Sequence, residues 1–554
     1  MKKIGIFLAF APEQPIKNHG IGRLLTFMLG GMLQDESASI VIATPAWYKK
    51  AIIAFLTEHD IDVKRIELLT TTGIPYLLRI QKLFTSSKTT RTEPAIQQKV
   101  AGKIDRILNK IVHKLFNLFI GWMSLSSTPL FFGIGFLLVV LGIFFSPLIL
   151  AALAFLASRS FFTRIYNWLR YRVIRRVFGI ISNNRFIHRI NTFFSDPLKE
   201  LRRNMMAQKI YSELRVRELR RLTDLINKRA DITTWFVPSL FWPEVGAIHA
   251  KKVVAAPDAV FVDFPSEFSD RSSALAFNRT AETIAVADHF ICYSDYVKEK
   301  HLIDSFAIEA EKITVIPHGA IDLSHYFGKN SAKKTGISRR DEALQILRDY
   351  QKQSLQNDSY LCDYDFSSMR YIFYSSQMRP YKNILKLVQA YETLLRKRFV
   401  NIKLVLTADI TSDYTVYEYV LRKRLQFDVI LLPNVPGKVL AALNHLAICA
   451  INPSLFEGGF PFTFTEAYSV GTPSIMSGIS VVTSAIEDIE LQKNMLFDPY
   501  NLDDMVNKIE WAVKNRDTLF KLQETLYQQF NQRTWRIVAK EYVNLLTHFT
   551  VQYA

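Results

Sequence analysis

From Leu115 to Ser158 the chain runs for 44 residues without a charged side chain. A bilayer core of about 30 Å takes about 20 helical residues per crossing, so this length fits two short spans or a re-entrant hairpin. One long kinked span, or a helical hairpin buried in soluble protein, would also accommodate it. Lys103, Arg106, Lys110 and Lys114 precede the run, and Arg159, Arg164, Arg170, Arg172, Arg175 and Arg176 follow it. Basic residues on both flanks favour both ends on the cytoplasmic face. Alternating strand and helix patterns lie on either side of the run. If residues 1–78 and 233–320 build one sheet, both must sit on the same side of the membrane. An even number of crossings, or a re-entrant loop, then follows.

The charge distribution agrees with that placement. The net charge is +18, but 27 Lys and Arg against 7 Asp and Glu fall between Arg79 and Arg229, which leaves the rest of the chain slightly acidic. Basicity confined to one region beside an apolar run fits anionic lipid headgroups, at about 1 kcal/mol per well-placed cation, better than nucleic acid. The helical stretch from Asp196 to Arg229 belongs to this belt, with a solvated helix face as the alternative. A hydrophobic content of 49% and a mean hydropathy of +0.07 fit some membrane contact. The first residues, MKKIGIFLAFAPEQP, read as a buried strand rather than a signal peptide, because the apolar part is short and ends in Pro12-Glu13. Cys292, Cys362 and Cys449 show no CxxC spacing, which fits a reducing compartment without a disulfide framework.

At 554 residues several folded units are expected. KKIGIFLAF leads into Gly20-Ile21-Gly22-Arg23 and the apolar helix LLTFMLGGML, the strand, glycine loop and helix of a Rossmann-like unit. SIVIATP is a second strand, and the pattern resumes with TTWFVPS, AVFVDFPSEF, a helix near Arg279 to Ala287, HFICYS and ITVIPHGA. In the C-terminal half YIFYSS, NIKLVLTA, VILLPN, LAICAINPS and PSIM read as strands of a doubly wound parallel sheet. The polar residues 329–365 are expected to be an insertion or surface helices. The implied organisation is α/β: an N-terminal domain in two parts, 1–90 and 196–320, split by a basic-flanked membrane hairpin at 91–195. A C-terminal domain spans 321–531, and a final helix at 532–554 crosses back.

Two motifs carry chemistry. Gln377-Met378-Arg379-Pro380-Tyr381-Lys382-Asn383 sits between the strand YIFYSS and the helix ILKLVQAYETLL, so two cations stand at a strand mouth, where Arg can grip two oxygens of a diphosphate and Lys supplies a mobile charge. Asn452 to Ile475, NPSLFEGGFPFTFTEAYSVGTPSI, places Glu457 and Glu466 around a glycine pair ahead of a short helix. Glycines let backbone N–H groups approach an anion, and carboxylates accept hydrogen bonds from hydroxyls. This combination points to a nucleotide-sugar.

The pattern resembles the family 4 retaining glycosyltransferases (glycosyl transferases group 1), which have the GT-B fold of two Rossmann-like domains facing a cleft. Eight residues lie between Glu457 and Glu466, one more than is usual in that family, and the extra one falls at Gly458-Gly459. The resemblance implies that Arg379 and Lys382 bind the donor diphosphate, that Glu466 bonds the ribose hydroxyls and that Glu457 contacts the transferred sugar. Gly458, Gly459, Phe460, Thr465 and Asn383 would complete the donor site, and Gly20, Gly22 and Arg23 an acceptor or phosphate loop. Asp263 stands where the family often carries His-Asp, with Val262 in place of the His, and would orient the acceptor or the sugar. Competing roles stay open: a capping box from Thr463 to Glu466, a solvated Glu457, and helix or loop caps at Asp263 and Ser294. His289 and His318 read as structural. Asp363-Tyr364-Asp365 spells the DxD of metal-dependent glycosyltransferases but lies in the polar segment, so neither a metal nor another cofactor is expected.

The expectation is therefore a retaining, metal-independent glycosyltransferase on the cytoplasmic face of the inner membrane. It would move a sugar from a UDP- or GDP-linked donor to a lipid-linked or membrane-proximal glycan in surface polysaccharide or lipopolysaccharide synthesis. Its partners would be the nucleotide-sugar, the glycan or glycolipid acceptor and anionic lipids, with no nucleic acid. The alternatives are a nucleotide-sugar epimerase of the same fold and a non-catalytic membrane scaffold.

Overall fold

A computed structural model describes residues 2–75 apart from 13, 15, 17–19 and 35–37, scattered positions between 118 and 137, residues 211–328, and residues 338–551 apart from 356, 357, 359 and 363. Two parallel sheets organise them. The first has the order β3-β2-β1-β4-β5-β6-β7, with β1 Lys2–Phe7, β2 Ala38–Thr44, β3 Ile66–Thr70, β4 Thr234–Val237, β5 Lys251–Ala255, β6 His289–Cys292 and β7 Ile313–Val315. The second has the order β10-β9-β8-β11-β12-β13, with β8 Tyr371–Tyr374, β9 Lys403–Leu406, β10 Val429–Leu431, β11 Cys449–Asn452, β12 Ser474–Ser477 and β13 Leu496–Phe497. Helices cover both faces, so central strands such as β4, β8 and β11 are buried along their whole length, which is why they read as unbroken apolar runs.

Three strands differ from the sequence reading. AVFVDFPSEF is not a strand: the strand is the preceding KKVVA, and Val260–Asp263 forms a short helix. Pro257 separates the two apolar stretches and has no N–H to extend a ladder. β3 is mixed in sequence and mostly half-exposed, and β13 has only two residues, so neither stands out in the sequence. Part of the polar segment, Arg339–Ser354, is a helix that packs Ala343, Leu344 and Leu347 into a core shared with β8 and the helix Gly437–Leu446.

β1 pairs with β4, Gly5 opposite Trp235, so the chain before and after residues 76–210 lies in one sheet. The apolar run falls almost wholly outside the described residues, and among those described no helix is long and apolar enough to cross a membrane. The helix that closes the excursion, 211–227, buries Leu214, Leu219, Leu222 and Ile226 and leaves Arg220 and Arg221 exposed. Glu218 on the same helix is buried and accepts a hydrogen bond from Thr71 in the loop after β3. Burial pushes its pKa up, against the Thr71 bond. One buried bond therefore ties together the two ends of the excursion.

The chain passes between domains twice, and the passages are bonded to each other. Ala320 N–H donates to Arg533 O at 3.0 Å, and Arg533 Nε donates to Pro317 O at 3.0 Å. The last helix, Trp535–Val551, then packs Val538, Ala539 and Tyr542 into the first core, against the helix Gly20–Leu33. Gly31 makes that contact close: a Cβ there would stand 2.5 Å from Trp535 O.

Candidate active site

In a doubly wound sheet, ligands bind beyond the carboxyl ends of the strands where the order reverses. In the second sheet that point lies between β8 and β11. The loop after β8 carries Arg379 and Lys382, and the loop after β11 carries Glu457. The two loops are joined by Leu455 N–H donating to Tyr381 O at 2.8 Å.

Lys382 and Glu457 meet at this junction, Nζ to Oε1 at 2.5 Å, with 18% of each side chain exposed. The same oxygen accepts from Ser454 Oγ at 2.7 Å, and Tyr374 Oη lies 3.1 Å from Ser454 Oγ. Glu457 is thus an anchored carboxylate rather than a solvated loop acid. Desolvation works against the Lys382 ammonium, but Glu457 and the oxygens of Tyr374 and Tyr381 outweigh it and hold its pKa above the ordinary lysine range. Arg379 is exposed and makes no ion pair among the described residues. Asn383 adopts the left-handed conformation at φ 56°, and its Nδ2 donates to Pro499 O at 3.1 Å, which moors the clamp loop to the turn after β13.

Glu466 lies in the helix Phe462–Ser469, whose N-cap is Pro461. Thr463 is therefore already helical, and the capping box is not formed. The Glu466 side chain is 1% exposed, and among the described residues its Oε2 has no hydrogen-bond partner. Its counter-charge comes from across the cleft, in an ion pair with Arg23, whose guanidinium also lies 5.2 Å from the Phe462 ring centroid. Desolvation lowers the Arg23 pKa to about 10, so the cation persists at neutral pH.

Other residues named from the sequence serve the frame. Thr465 Oγ1 accepts from Ile321 N–H at 3.1 Å and donates to Phe462 O, so its hydroxyl is turned to the linker. The Phe460 ring stacks on Phe530 with centroids 4.3 Å apart. Gly458 and Gly459 press against the first domain: a Cβ on Gly458 would stand 2.1 Å from Pro257 O, and one on Gly459 3.1 Å from Tyr293 Cβ. Ser294 donates to Gly458 O at 2.8 Å and also accepts from Val297 N–H, so it caps its helix and bridges the domains. Gly20 opens the helix Gly20–Leu33, and Gly22 allows the Ile16 carbonyl to approach. His318 is wedged between Tyr293, Phe462 and Trp535, and desolvation together with Arg23 and Arg533 lowers its pKa to about 3. Asp363 lies outside the described residues, while Asp365 accepts from Ser367 N–H.

Two residues were not singled out from the sequence. His301 is fully buried; its Nδ1 accepts from Ala259 N–H at 2.9 Å, which leaves Nε2 to donate to Asp263 Oδ2 at 2.9 Å. An imidazole therefore backs Asp263 even though Val262 fills the neighbouring position. Asp258 sits beside Gly458, with desolvation raising its pKa against the pull of His301 and Lys382. A cavity of about 850 Å³ opens beside Glu457, walled by Asp263, Phe264 and Tyr296 on one side and by the turns after β12 and β13 on the other.

Residues 366–532 match the family Glycosyl transferases group 1. That stretch holds both loops at the β8/β11 junction. The whole two-domain frame is similar to a glycosyltransferase from Rickettsia africae ESF-5, with a TM-score of 0.51 and 12% identity over 99% of this chain and 98% of that one. It is also similar to Anabaena HepE in complex with UDP and glucose, with a TM-score of 0.52 and 11% identity over 99% and 100% of the two chains. The N-terminal domain of Candida albicans trehalose-6-phosphate phosphatase gives a TM-score of 0.53 at 10% identity over 99% and 97%. At these identities it is the fold that is shared, the GT-B frame expected from the sequence. No curated protein sequence matches the chain.

Proposed function

We propose that the chain is a retaining, metal-independent glycosyltransferase that moves a sugar from a nucleoside diphosphate to a membrane-proximal glycan. The observation that carries this reading is the Lys382–Glu457 pair at the β8/β11 junction, where the loops after the two strands are bonded to each other. Lys382 can pass from Glu457 to a diphosphate, and Arg379, which makes no ion pair among the described residues, can join it. Glu466, shared with Arg23, offers its second carboxylate oxygen to a ribose hydroxyl, and Glu457 faces the transferred sugar. The Anabaena protein was solved with UDP and glucose, which makes UDP the first nucleotude to test and GDP the second.

In the reaction, the acceptor hydroxyl oxygen forms a bond to the anomeric carbon on the face from which the diphosphate departs. The carbon–oxygen bond to the diphosphate breaks, its electron pair moves to the phosphate oxygen, and that oxygen takes the acceptor proton. The products are a glycoside of unchanged anomeric configuration and a nucleoside diphosphate. Arg379 and Lys382 stabilise the charge that develops on the leaving group, the part a metal plays elsewhere. Asp263, backed by His301, orients the acceptor, and the helix start at Gly20 with Gly22 and Arg23 lines the phosphate side of the cleft.

The acceptor is read as a lipid-linked or membrane-proximal glycan of surface polysaccharide or lipopolysaccharide synthesis, because of the 44-residue uncharged run and its basic flanks. Residues 76–210 leave and re-enter one sheet, which supports an even number of crossings and both domains on the cytoplasmic face of the inner membrane. Isothermal titration of the detergent-purified chain with UDP and GDP tests the donor site. Binding of one of them is expected, and a folded sample that binds neither would refute the proposal.

A further inference from the structure

Apart from Glu457, the cavity is built from parts that the donor clamp does not use. One wall is the turn after β12, with Ile479 and Ser480, together with the turn after β13, where Tyr500 is 66% exposed. The facing wall is Asp263, Phe264 and Tyr296 of the first domain. Its volume, about 850 Å³, lies in the range of small-molecule sites, about 300–1,000 Å³.

Glu457 belongs to the cavity and, through Lys382, to the clamp, so an occupant would lie against the place where a donor sugar reacts. The turn after β13 is tied to the clamp loop twice, by Asn383 to Pro499 O at 3.1 Å and by Lys386 to Tyr500 O at 2.7 Å. Glu457 is neutralised by Lys382, and three further carboxylates, Asp263, Asp498 and Asp504, line the space against one lining ammonium, Lys493. A phosphate entering it would meet a net negative wall. A sugar ring, in contrast, offers hydroxyl donors to carboxylates and C–H faces to aromatic rings. Asp263 is prepared for such a contact. His301 fixes Oδ2, while Oδ1 has only a 3.3 Å bond from Tyr296 and remains open to a further donor.

We propose that this cavity is the acceptor subsite, that it takes an uncharged saccharide, and that it rejects one whose reacting ring carries phosphate. The proposal rests on the glycosyltransferase reading above. Saturation-transfer NMR on the full chain in detergent, with the methyl glycosides of glucose, galactose, mannose and N-acetylglucosamine and with glucose 6-phosphate, tests it. At least one glycoside should show transfer that glucose 6-phosphate does not match. Tyr500→Ala, which removes an exposed ring, and Ser480→Trp, which fills the space, should each weaken it about five-fold or more, with UDP affinity unchanged. A protein that binds UDP but no glycoside overturns the subsite, as does an equal response to glucose 6-phosphate or one indifferent to Ser480→Trp. Glycoside binding without any UDP or GDP binding would instead overturn the donor reading and leave a saccharide site.

Discussion

The two sheets share a doubly wound strand order and differ in what fills the crevice beside their central strands. In the first, the loop after β1 turns inward: Phe10 is 2% exposed, stacks on Tyr48 at 5.1 Å and meets Trp242 edge-on at 5.2 Å. Trp47 Nε1 and Tyr48 Oη close the plug with bonds to Phe10 O and Gln14 O. In the second, the same topological position holds an ammonium, its paired carboxylate and an exposed guanidinium. One fold therefore supplies one crevice for packing and one for charge, and the first domain serves the second through Arg23 on Glu466 and Ser294 on Gly458.

The largest effect should come from opening the packed crevice. Phe10→Ala is expected to cost about 3–5 kcal/mol of stability, read as a fall in Tm, while the folded fraction binds UDP as before. Lys382→Ala should do the reverse: turnover falls about 10²–10³-fold and the Tm changes little. A loss of UDP affinity in Phe10→Ala together with full activity in Lys382→Ala would put the donor on the wrong sheet.

Much of this contrast was legible in the sequence, and the illegible part has a physical cause. The C-terminal strands YIFYSS, NIKLVLTA and LAICAINPS stand out because a strand buried on both faces must be apolar throughout. KKVVA was hidden because it opens with two lysines, and these find a partner only in the fold, where Lys251 and Lys252 both meet Asp288. The clamp cations and the two glutamates announced themselves by type and place. Their pairing did not, since Lys382 and Glu457 are 75 residues apart and nothing local says they touch. His301 was missed for the same reason, 38 residues from Asp263 on the helix after the next strand. The capping box failed on a single residue: Pro461 is the N-cap, so the helix begins before Thr463.

A smaller effect separates Glu466 from an ordinary ion-pair partner. If Glu466 binds ribose as well as holding Arg23, Glu466→Gln removes a charged hydrogen-bond acceptor and should weaken UDP by about ten-fold or more, measured by titration on the folded protein, whatever the lost Arg23 pair does to the Tm. If it exists only to hold Arg23, UDP affinity stays the same, the domains loosen and the Tm falls.

The smallest expected effect tests whether the two sheets unfold together. His318 touches Tyr293 in the first domain, Phe462 in the second and Trp535 at the return crossing, and its pKa is lowered to about 3 by desolvation, Arg23 and Arg533. Below pH 6.5 the unfolded chain takes up a proton that the native imidazole refuses, so stability falls as the pH drops, by about 1 kcal/mol at pH 5.5 for this one group. His289, lowered to about 4 by desolvation, adds to the same slope from the first domain alone. His318→Phe should flatten its share of the profile of Tm against pH. In a single cooperative transition the flattening appears in the whole curve. If the sheets melt separately, it appears only in the transition that opens the linker, and the Arg23–Glu466 bridge then contributes too little to couple them.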